Sequence, residues 1–344
     1  MVVSGQDVTQ SDVARAAGVS RSLVSLALNG SPKVAEATRH RIAETAASLG
    51  YRVNATAASL ARQRSSIIGL VLPNLRNAFL EQIAHTLGEA TSARGLALFV
   101  TVGSDRPEML HRAIESLLGV RVTGLILVSP WLPDEDITAI GEEAPVCLIG
   151  RRSPGGRVDS VRVDEDAAAR LLIGHLAELG THSIGYVGPH VVNDTSPFER
   201  ETSLRRAALA AGLPVDAREC GEDAGPAVRE MLQAHPEPLG LVIHSDTLAI
   251  DAVPVLRETP RRPGAEVALV SYDNTYLARR GEFSLTSIDQ PEDVLGTTAV
   301  RLLCERAGGD AVPPEEPRDV VLEPALVIRD SSRLATMREA APHR

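Results

Sequence analysis

Between Thr9 and Leu26 the chain gathers short hydrogen-bonding side chains at helical spacing: Thr9, Asp12, Ser20, Ser22 and Ser25, with Arg21 among them. Hydroxyls and a guanidinium at that density suit donation to phosphate oxygens and to the acceptor edges of bases. The same stretch supplies the elements that must hold them. Thr9 with Asp12 three residues on has capping-box spacing, and Val13, Ala16 and Ala17 mark one apolar face of a first helix. Gly18 lets the chain turn where a side chain would resist. Ser20 then caps a second helix whose inner face is Val24, Ala27 and Leu28. Arg21, Ser22, Ser25 and Leu26 are left pointing outward, as on the recognition helix of a helix-turn-helix lying in the major groove.

A third helix is expected from Glu36 to Leu49, with Ile42, Ala46 and Leu49 toward the core and Gly50 as its C-terminal signal. Tyr51-Arg52-Val53-Asn54 follows, then an Ala-rich segment, Ala55 to Arg62, too short for a stable isolated helix. It would fold on DNA or against its symmetry mate. Charge distribution supports this reading. Residues 1–64 hold eight basic side chains against four acidic ones, a net +4, while the rest holds 27 basic and 41 acidic, a net −14. A small basic module on a large acidic body is the electrostatic footprint of local DNA contact.

At 344 residues the chain is too long for one compact core. From Ile67 onward its texture alternates. Strand-like runs are expected at Ile67–Leu72, Leu96–Val102, Val122–Ser129, Val146–Gly150, Val161–Asp164, Ile184–Gly188, Leu241–His244 and Val267–Ser271. Helical runs are expected at Phe79–Arg94, Pro107–Leu118, Ala167–Leu179, Leu204–Ala211, Thr247–Glu258 and Val294–Ala307. Alternation of this kind implies doubly wound parallel sheets, and its length implies two lobes with a ligand cleft at the strand ends.

Other chemistries find little support. No run of 18 apolar residues implies a membrane span, and no secretion signal opens the chain. Cys147, Cys220 and Cys304 are few, odd in number and far apart, which suits buried, inert thiols in a reducing compartment. The nine histidines lack metal spacing; His111, His175 and His244 read as structural. Asp134, Glu135, Asp136, Glu142 and Glu143 read as solvated helix-start charges, not a catalytic pair. Gly155-Gly156 reads as a turn, not a phosphate loop. Neither a cofactor nor a metal is implied, and no nucleophile–base pair stands out.

Taken together, Asp12-Val13-Ala14, Ala17-Gly18-Val19-Ser20, Val24-Ser25 and Tyr51-Arg52-Val53-Asn54 resemble the LacI/GalR family of bacterial transcription regulators. The resemblance extends over nearly the whole chain through Val163-Asp164, His175-Leu176, Ile184-Gly185-Tyr186-Val187-Gly188, Ser245-Asp246, Ser271-Tyr272-Asp273-Asn274, Leu285 to Gln290 and Arg329-Asp330-Ser331-Ser332. It implies an α/β protein: an N-terminal all-α helix-turn-helix headpiece with a hinge helix, then a two-lobed periplasmic-binding-protein-like core of doubly wound parallel sheets. The expected divisions are a headpiece over 1–53, hinge and linker over 54–64, and an effector-binding and dimerisation core over 65–344. Within that core, lobe 1 is placed at about 65–163 and 291–320, and lobe 2 at about 164–290 and 321–332.

The resemblance also assigns roles. Arg21, Ser22 and Leu26 take base-reading positions, Arg21 suiting guanine O6 and N7. Many relatives have arginine where Leu26 stands, so a different operator is expected. Thr9, Ser20, Ser25, Asn29, Thr38, Tyr51 and Asn54 match phosphate-holding positions. Leu60 matches a leucine wedged into the minor groove at the operator centre, and Ala57 allows close approach. Ala35 stands where a capping serine is common, a loss of about 0.5–2 kcal/mol. For the effector, Arg200, Asp246, Asp273 and Gln290 match cleft-lining positions, with Asn77 after the first strand. Phe79, Trp131, Phe198, Tyr272 and Tyr276 are candidate apolar walls, although Trp131 beside two prolines equally suits a loop anchor.

The implied function is a ligand-responsive, sequence-specific DNA-binding regulator, a repressor binding a pseudo-palindromic operator as a homodimer. A small molecule, a sugar, would occupy the cleft, and the protein would act in the cytoplasm in association with the nucleoid. The alternatives are a sugar-binding solute receptor without a DNA role and a sugar-processing enzyme. After Arg329 the segment Leu334 to Ala340 sustains no apolar heptad, so a dimer is expected over a coiled-coil tetramer.

Overall fold

The computed structural model describes residues 8–28, 31, 33–51, 65–103, 106–190, 196–259, 266–308 and 314–333. Asn29, Asn54, Ala57, Leu60, the hinge segment and the C-terminal residues 334–344 lie outside them. The chain divides into an N-terminal unit ending at Ser66 and a second unit beginning at Ile67.

Three helices form the described part of the first unit: α1 Gln10–Ala17, α2 Arg21–Leu28 and α3 Glu36–Ser48. Thr9 and Asp12 form the expected capping box at α1. Gly18 follows α1 at φ 66°, and Val19 N–H returns to the Ala14 carbonyl at 3.0 Å, which closes the helix and aims the chain into α2. The same device ends α3, where Gly50 has φ 69° and Tyr51 N–H donates to Ala46 O at 2.9 Å. Val13, Ala14, Val24, Ala27, Val34, Ile42 and Ala46 make the core. Two expectations are corrected. On α1 the buried alanine is Ala14 and Ala16 is exposed, because the inward stripe runs 13, 14, 17. Leu49 is 38% exposed, since α3 has already ended and the backbone turns it outward. Ala35 gives α3 no side-chain cap, and Arg39 instead ties the preceding loop down through the carbonyls of Ser31 and Val34.

Among its described residues the second unit holds two six-stranded sheets. Lobe 1 is built on β1 Ile67–Leu72, β2 Ala97–Val102, β3 Gly124–Val128, β4 Val146–Ile149, β5 Asp159–Val163 and β11 Asp319–Leu322, in the order β11-β5-β4-β3-β1-β2 and parallel throughout. Lobe 2 is built on β6 Ser183–Gly188, β7 Val215–Glu219, β8 Leu239–Ile243, β9 Val267–Asp273, β10 Thr286–Asp289 and β12 Ala325–Val327, in the order β12-β10-β9-β8-β6-β7. Its edge strand β12 runs antiparallel to β10, an exception to the all-parallel expectation. The central strands are apolar on both faces, as helices covering both sides require.

The connecting helices are α4 Ala78–Ser92, α5 Pro107–Gly119, α6 Asp134–Glu143, α7 Glu165–Glu178, α8 Ser196–Ala210, α9 Gly225–Ala234, α10 Asp246–Arg257 and α11 Glu292–Arg306. In lobe 1, α11 lies so close to α4 that a Cβ on Gly296 would stand 2.7 Å from Thr86 Cγ2. Several elements go beyond the sequence reading: α9, and the short strands β7, β10, β11 and β12. Helix α8 starts eight residues earlier than expected, because Ser196 to Ser203 is polar and carries no clear apolar stripe. Glu142 and Glu143 end α6 rather than starting it. Strand membership shows the chain crossing between lobes three times: after β5, after β10, and between β11 and β12.

Candidate functional site

In the first unit α2 presents its expected outer face. Arg21 and Ser22 are exposed, Leu26 is 41% exposed, and Ser25 is half-buried. Ser20 Oγ accepts from Leu23 N–H at 3.2 Å, so its hydroxyl is the cap that orients the helix start. Thr9 donates its hydroxyl to Asp12 at 2.6 Å and is exposed. Thr38 is half-buried on the first turn of α3, and half-buried Tyr51 packs against the core. The inward apolar positions of α2 fix which residues face out, and those are the donors and methyls that major-groove edges match.

In the second unit the parallel strands of lobe 2 bring their carboxyl ends together, where open α/β sheets hold ligands. Tyr272 and Asp273 end β9, Gln290 follows β10, and His244 follows β8. Arg200 reaches this place from α8. It is 4% exposed; its Nε and Nη2 donate to the Glu165 carboxylate at 3.1–3.4 Å, and Nη1 donates to the His244 carbonyl at 2.7 Å. Its guanidinium carbon sits 3.9 Å from the centre of the Tyr272 ring. Gln290 Nε2 donates to Asp273 Oδ1 at 2.6 Å. Among the described residues Asp273 Oδ2 and the Tyr272 hydroxyl are buried without a hydrogen-bond partner. Such orphans mark where a polar ligand atom would be welcome.

The electrostatics follow from this burial. Desolvation, helped by the charge of Asp246 and opposed by Arg200, pushes the Asp273 carboxyl up to about 7. Burial raises the Tyr272 hydroxyl well above its ordinary value and, with Arg200 nearby, holds His244 well below its own, so that imidazole is neutral. His244 Nδ1 meets the Tyr186 hydroxyl at 2.8 Å, the structural role expected of it. His175, on Ser332 Oγ at 2.7 Å, and His111, on Asp136 at 2.9 Å, are likewise tied down. Backbone strain concentrates here too: Asp273 has φ 103° and Asn274 φ 50°, held by Ser287 Oγ on Asn274 N–H at 2.9 Å and by Asp289 on its side-chain amide at 2.6 Å.

Not every expected residue joins this cluster. Asp246 is fully buried and its oxygens are spent on Ser271, Ser287 and Thr275, with Oγ1 and N–H of Thr275 both donating. It staples α10 to β9 and β10 and has no oxygen free to offer a ligand. Phe79 is 9% exposed inside the lobe 1 core, directed there by its place in the first turn of α4. Asn77 caps that helix, accepting from Phe79 N–H at 2.9 Å. Trp131 is half-buried against the other lobe 1 cluster, in a loop whose Pro130 and Leu132 carbonyls accept from buried Arg151 at 2.7 Å. Phe198 is half-buried on α8, and Tyr276 is 46% exposed beside Arg280. Glu165 was missed: following the N-cap Asp164, it reads as an ordinary first-turn acid.

Lobe 1 meets lobe 2 across this edge. Ser196 Oγ donates to Ser129 Oγ at 3.0 Å and contacts the Gly150 carbonyl; Arg152 lies 3.9 Å from Glu199, and Arg76 pairs with Glu222. Cys147 is buried and Cys220 and Cys304 are half-buried; burial raises all three thiols, Cys220 to about 11. Among the described residues no group of His, Cys, Asp and Glu is placed to hold a metal, and no helix is long and apolar enough to cross a membrane.

Residues 9–54 match the bacterial regulatory proteins of the lacI family, and residues 173–332 match a periplasmic binding protein-like domain. The chain is 32% identical over 335 residues to the transcriptional regulator CelR of Thermobifida fusca, covering 93% of this chain and 96% of that protein. It is 28% identical over 343 residues to the regulator GalR of Escherichia coli K12, covering 97% and 98%. Among solved structures it resembles a CelR–cellobiose complex, with TM-score 0.69 and 29% identity over 94% of this chain and 99% of that one. It also resembles the lac repressor dimer bound to operator and the anti-inducer ONPF, with TM-score 0.82 and 27% identity over 96% of this chain and all of that one. With a helix-turn-helix unit, a two-sheet body and similarity running nearly end to end, this chain belongs to the lacI family of bacterial regulatory proteins, which are ligand-responsive, DNA-binding transcription regulators and not enzymes.

Proposed function

We propose that the chain is a repressor that binds a pseudo-palindromic operator as a homodimer and answers to a sugar held between the lobes. Arg21, Ser22 and Leu26 read base edges; Thr9, Ser20, Ser25, Asn29, Thr38, Tyr51 and Asn54 hold phosphates; Leu60 wedges the central step, with Ala57 allowing the close approach. Arg200, Tyr272, Asp273 and Gln290 grip the ligand, with Phe198 and Trp131 at its sides and Asn77 at the lobe 1 edge. The observation that carries the ligand half is the pair of buried, unpartnered oxygens, Asp273 Oδ2 and Tyr272 Oη, at the carboxyl ends of β8 to β10. The cellobiose complex of a relative supports a sugar as occupant.

Dimerisation has its own support. Edge strand β2 exposes Phe99, Val100 and Val102 by 40–49%, and Met109 on α5 adds to the patch. A bare apolar edge strand is a liability unless a second copy covers it, and the lac repressor relative is a dimer on its operator. A regulator of this kind works in the cytoplasm, on the nucleoid. The test is selection of binding sites from randomised duplexes by the full chain, with and without cellobiose or galactose. An enriched inverted repeat, and a ligand that shifts its affinity by roughly 5–150-fold, are expected. Arg21→Ala should relax preference at one base pair, by about 1–3 kcal/mol, and leave non-specific binding nearly unchanged. Recovery of no inverted repeat under any condition would overturn the proposal.

A further inference from the structure

Cleft recognition by Arg200 raises the question of which ligand charge it serves. A free guanidinium is well suited to phosphate and carboxylate, which it grips through two parallel N–H bonds. In this chain that fork is already taken. Glu165, with its side chain 12% exposed on the first turn of α7, receives Nε and Nη2, and the His244 carbonyl receives Nη1. The guanidinium face is covered by the Tyr272 ring. Asp273 lies at its edge and Asp246 behind it, His244 is neutral, and Gln290 and Tyr272 carry no charge. The nearest further cations, Arg279 and Arg329, are taken up by the Asn274 carbonyl and by Asn274 Oδ1 and the Leu285 carbonyl. On the facing side Arg152 meets Glu199, and Arg162 is held by both oxygens of Asp319 at 2.8–3.3 Å.

Building on the reading of this cleft as the ligand site, we infer that Glu165 sets its charge selectivity: it neutralises Arg200 and occupies the fork, so the site takes uncharged, hydroxyl-bearing ligands and rejects phosphorylated or carboxylated ones. Discrimination of this kind rests on a built-in repulsion as much as on attraction. A sugar hydroxyl can donate to Asp273 Oδ2 and accept from the Tyr272 hydroxyl without adding charge. A phosphate placed there would face Asp273 and Glu165 and would have to displace Glu165 to be gripped through the two-bond fork. Burial, which pushes the Asp273 carboxyl up to about 7, suits the same ligand, because a neutral acid can also donate to a hydroxyl.

The experiment compares the full chain with Glu165→Gln and Glu165→Asp, using inorganic phosphate and glucose 6-phosphate as probes in calorimetric titration and thermal shift. Glutamine keeps the shape and leaves the guanidinium charge uncompensated; aspartate restores the carboxylate. The wild type and Glu165→Asp should respond weakly to both probes, and Glu165→Gln should bind them about tenfold or more tightly than the wild type. Tight binding of inorganic phosphate or glucose 6-phosphate by the wild-type cleft would overturn the inference, and that measurement needs no variant. A glutamine variant that folds and gains nothing would overturn it as well. A phosphorylated sugar that binds the wild type and changes its operator affinity would refute anion rejection while upholding the regulator itself, whose own failure shows in site selection, where phosphate takes no part.

Discussion

Asp273→Asn isolates one buried charge. Its carboxyl is 4% exposed, and desolvation, aided by Asp246 and only partly countered by Arg200 and the Gln290 amide, moves it from 3.8 to about 7. The folded chain therefore binds a proton that the unfolded chain has released across roughly pH 4 to 7, so this group's stabilising effect is complete below the unfolded value and is lost as pH rises through the folded one. A span of about three decades at about 1.4 kcal/mol each sets the change at up to about 4 kcal/mol. Asparagine cannot ionise, so this group's share of the slope should vanish. Its oxygen still accepts from Gln290, but where the neutral acid carries one unpartnered O–H the amide carries two N–H groups, and the extra orphan donor costs about 1–3 kcal/mol. The variant should thus be less stable than the wild type below about pH 4 and more stable above about pH 7. Thermal unfolding of both proteins across that range reads the crossing, at about 2 °C per kcal/mol for a body of this size. A wild-type-minus-variant difference that stays constant with pH would refute the argument.

Two further expectations concern stability elsewhere. Ile42 is fully buried in a core of seven residues, so Ile42→Ala should cost about 2–5 kcal/mol in a unit with little to spare. Operator binding should be lost while the thermal transition of the body stays in place; unimpaired operator binding would count against this. Asp159 is fully buried between Arg306, at 2.6 and 2.9 Å, and the backbone N–H of Arg318 at 2.8 Å. Removing it in Asp159→Ala strands two guanidinium groups, and a loss of about 3–5 kcal/mol is expected by chemical denaturation. Burial raises that carboxyl, but Arg306 and Arg318 outweigh it and the pKa lies below 3.8, so its contribution is present above about pH 4 and fades as pH falls through the lowered value. A wild type whose stability is flat through acid, or an alanine variant as stable as the wild type, would contradict this.

Local chemistry made much of this protein legible in one dimension. The capping box at Thr9 and Asp12, the turn at Gly18, the cap at Ser20 and the outward face of Arg21, Ser22 and Leu26 all depend on contacts three or four residues apart, which spacing encodes directly. The central strands are apolar on both faces, so β1, β4 and β6 were visible as runs. Three of the missed strands share a cause. Edge strands β7, β11 and β12 are only partly buried and lack that run, and the start of α8 is polar because α8 packs on one face around Arg200.

What residue order by itself determined, then, was the helix-turn-helix, the alternation of the body and the family. Which acids keep an oxygen without a partner was decided only by tertiary structure. Asp246 and Asp273 look equivalent as acids beside strand ends, yet docking of α10 against β9 and β10 spends every oxygen of one, and the strained backbone at the end of β9 leaves an oxygen of the other unpartnered. Glu165 and Arg200 lie 35 residues apart and meet only because α7 packs along α8. Burial and partnership are properties of the packed interior, and those two quantities separate an acid with an oxygen left over from a structural staple.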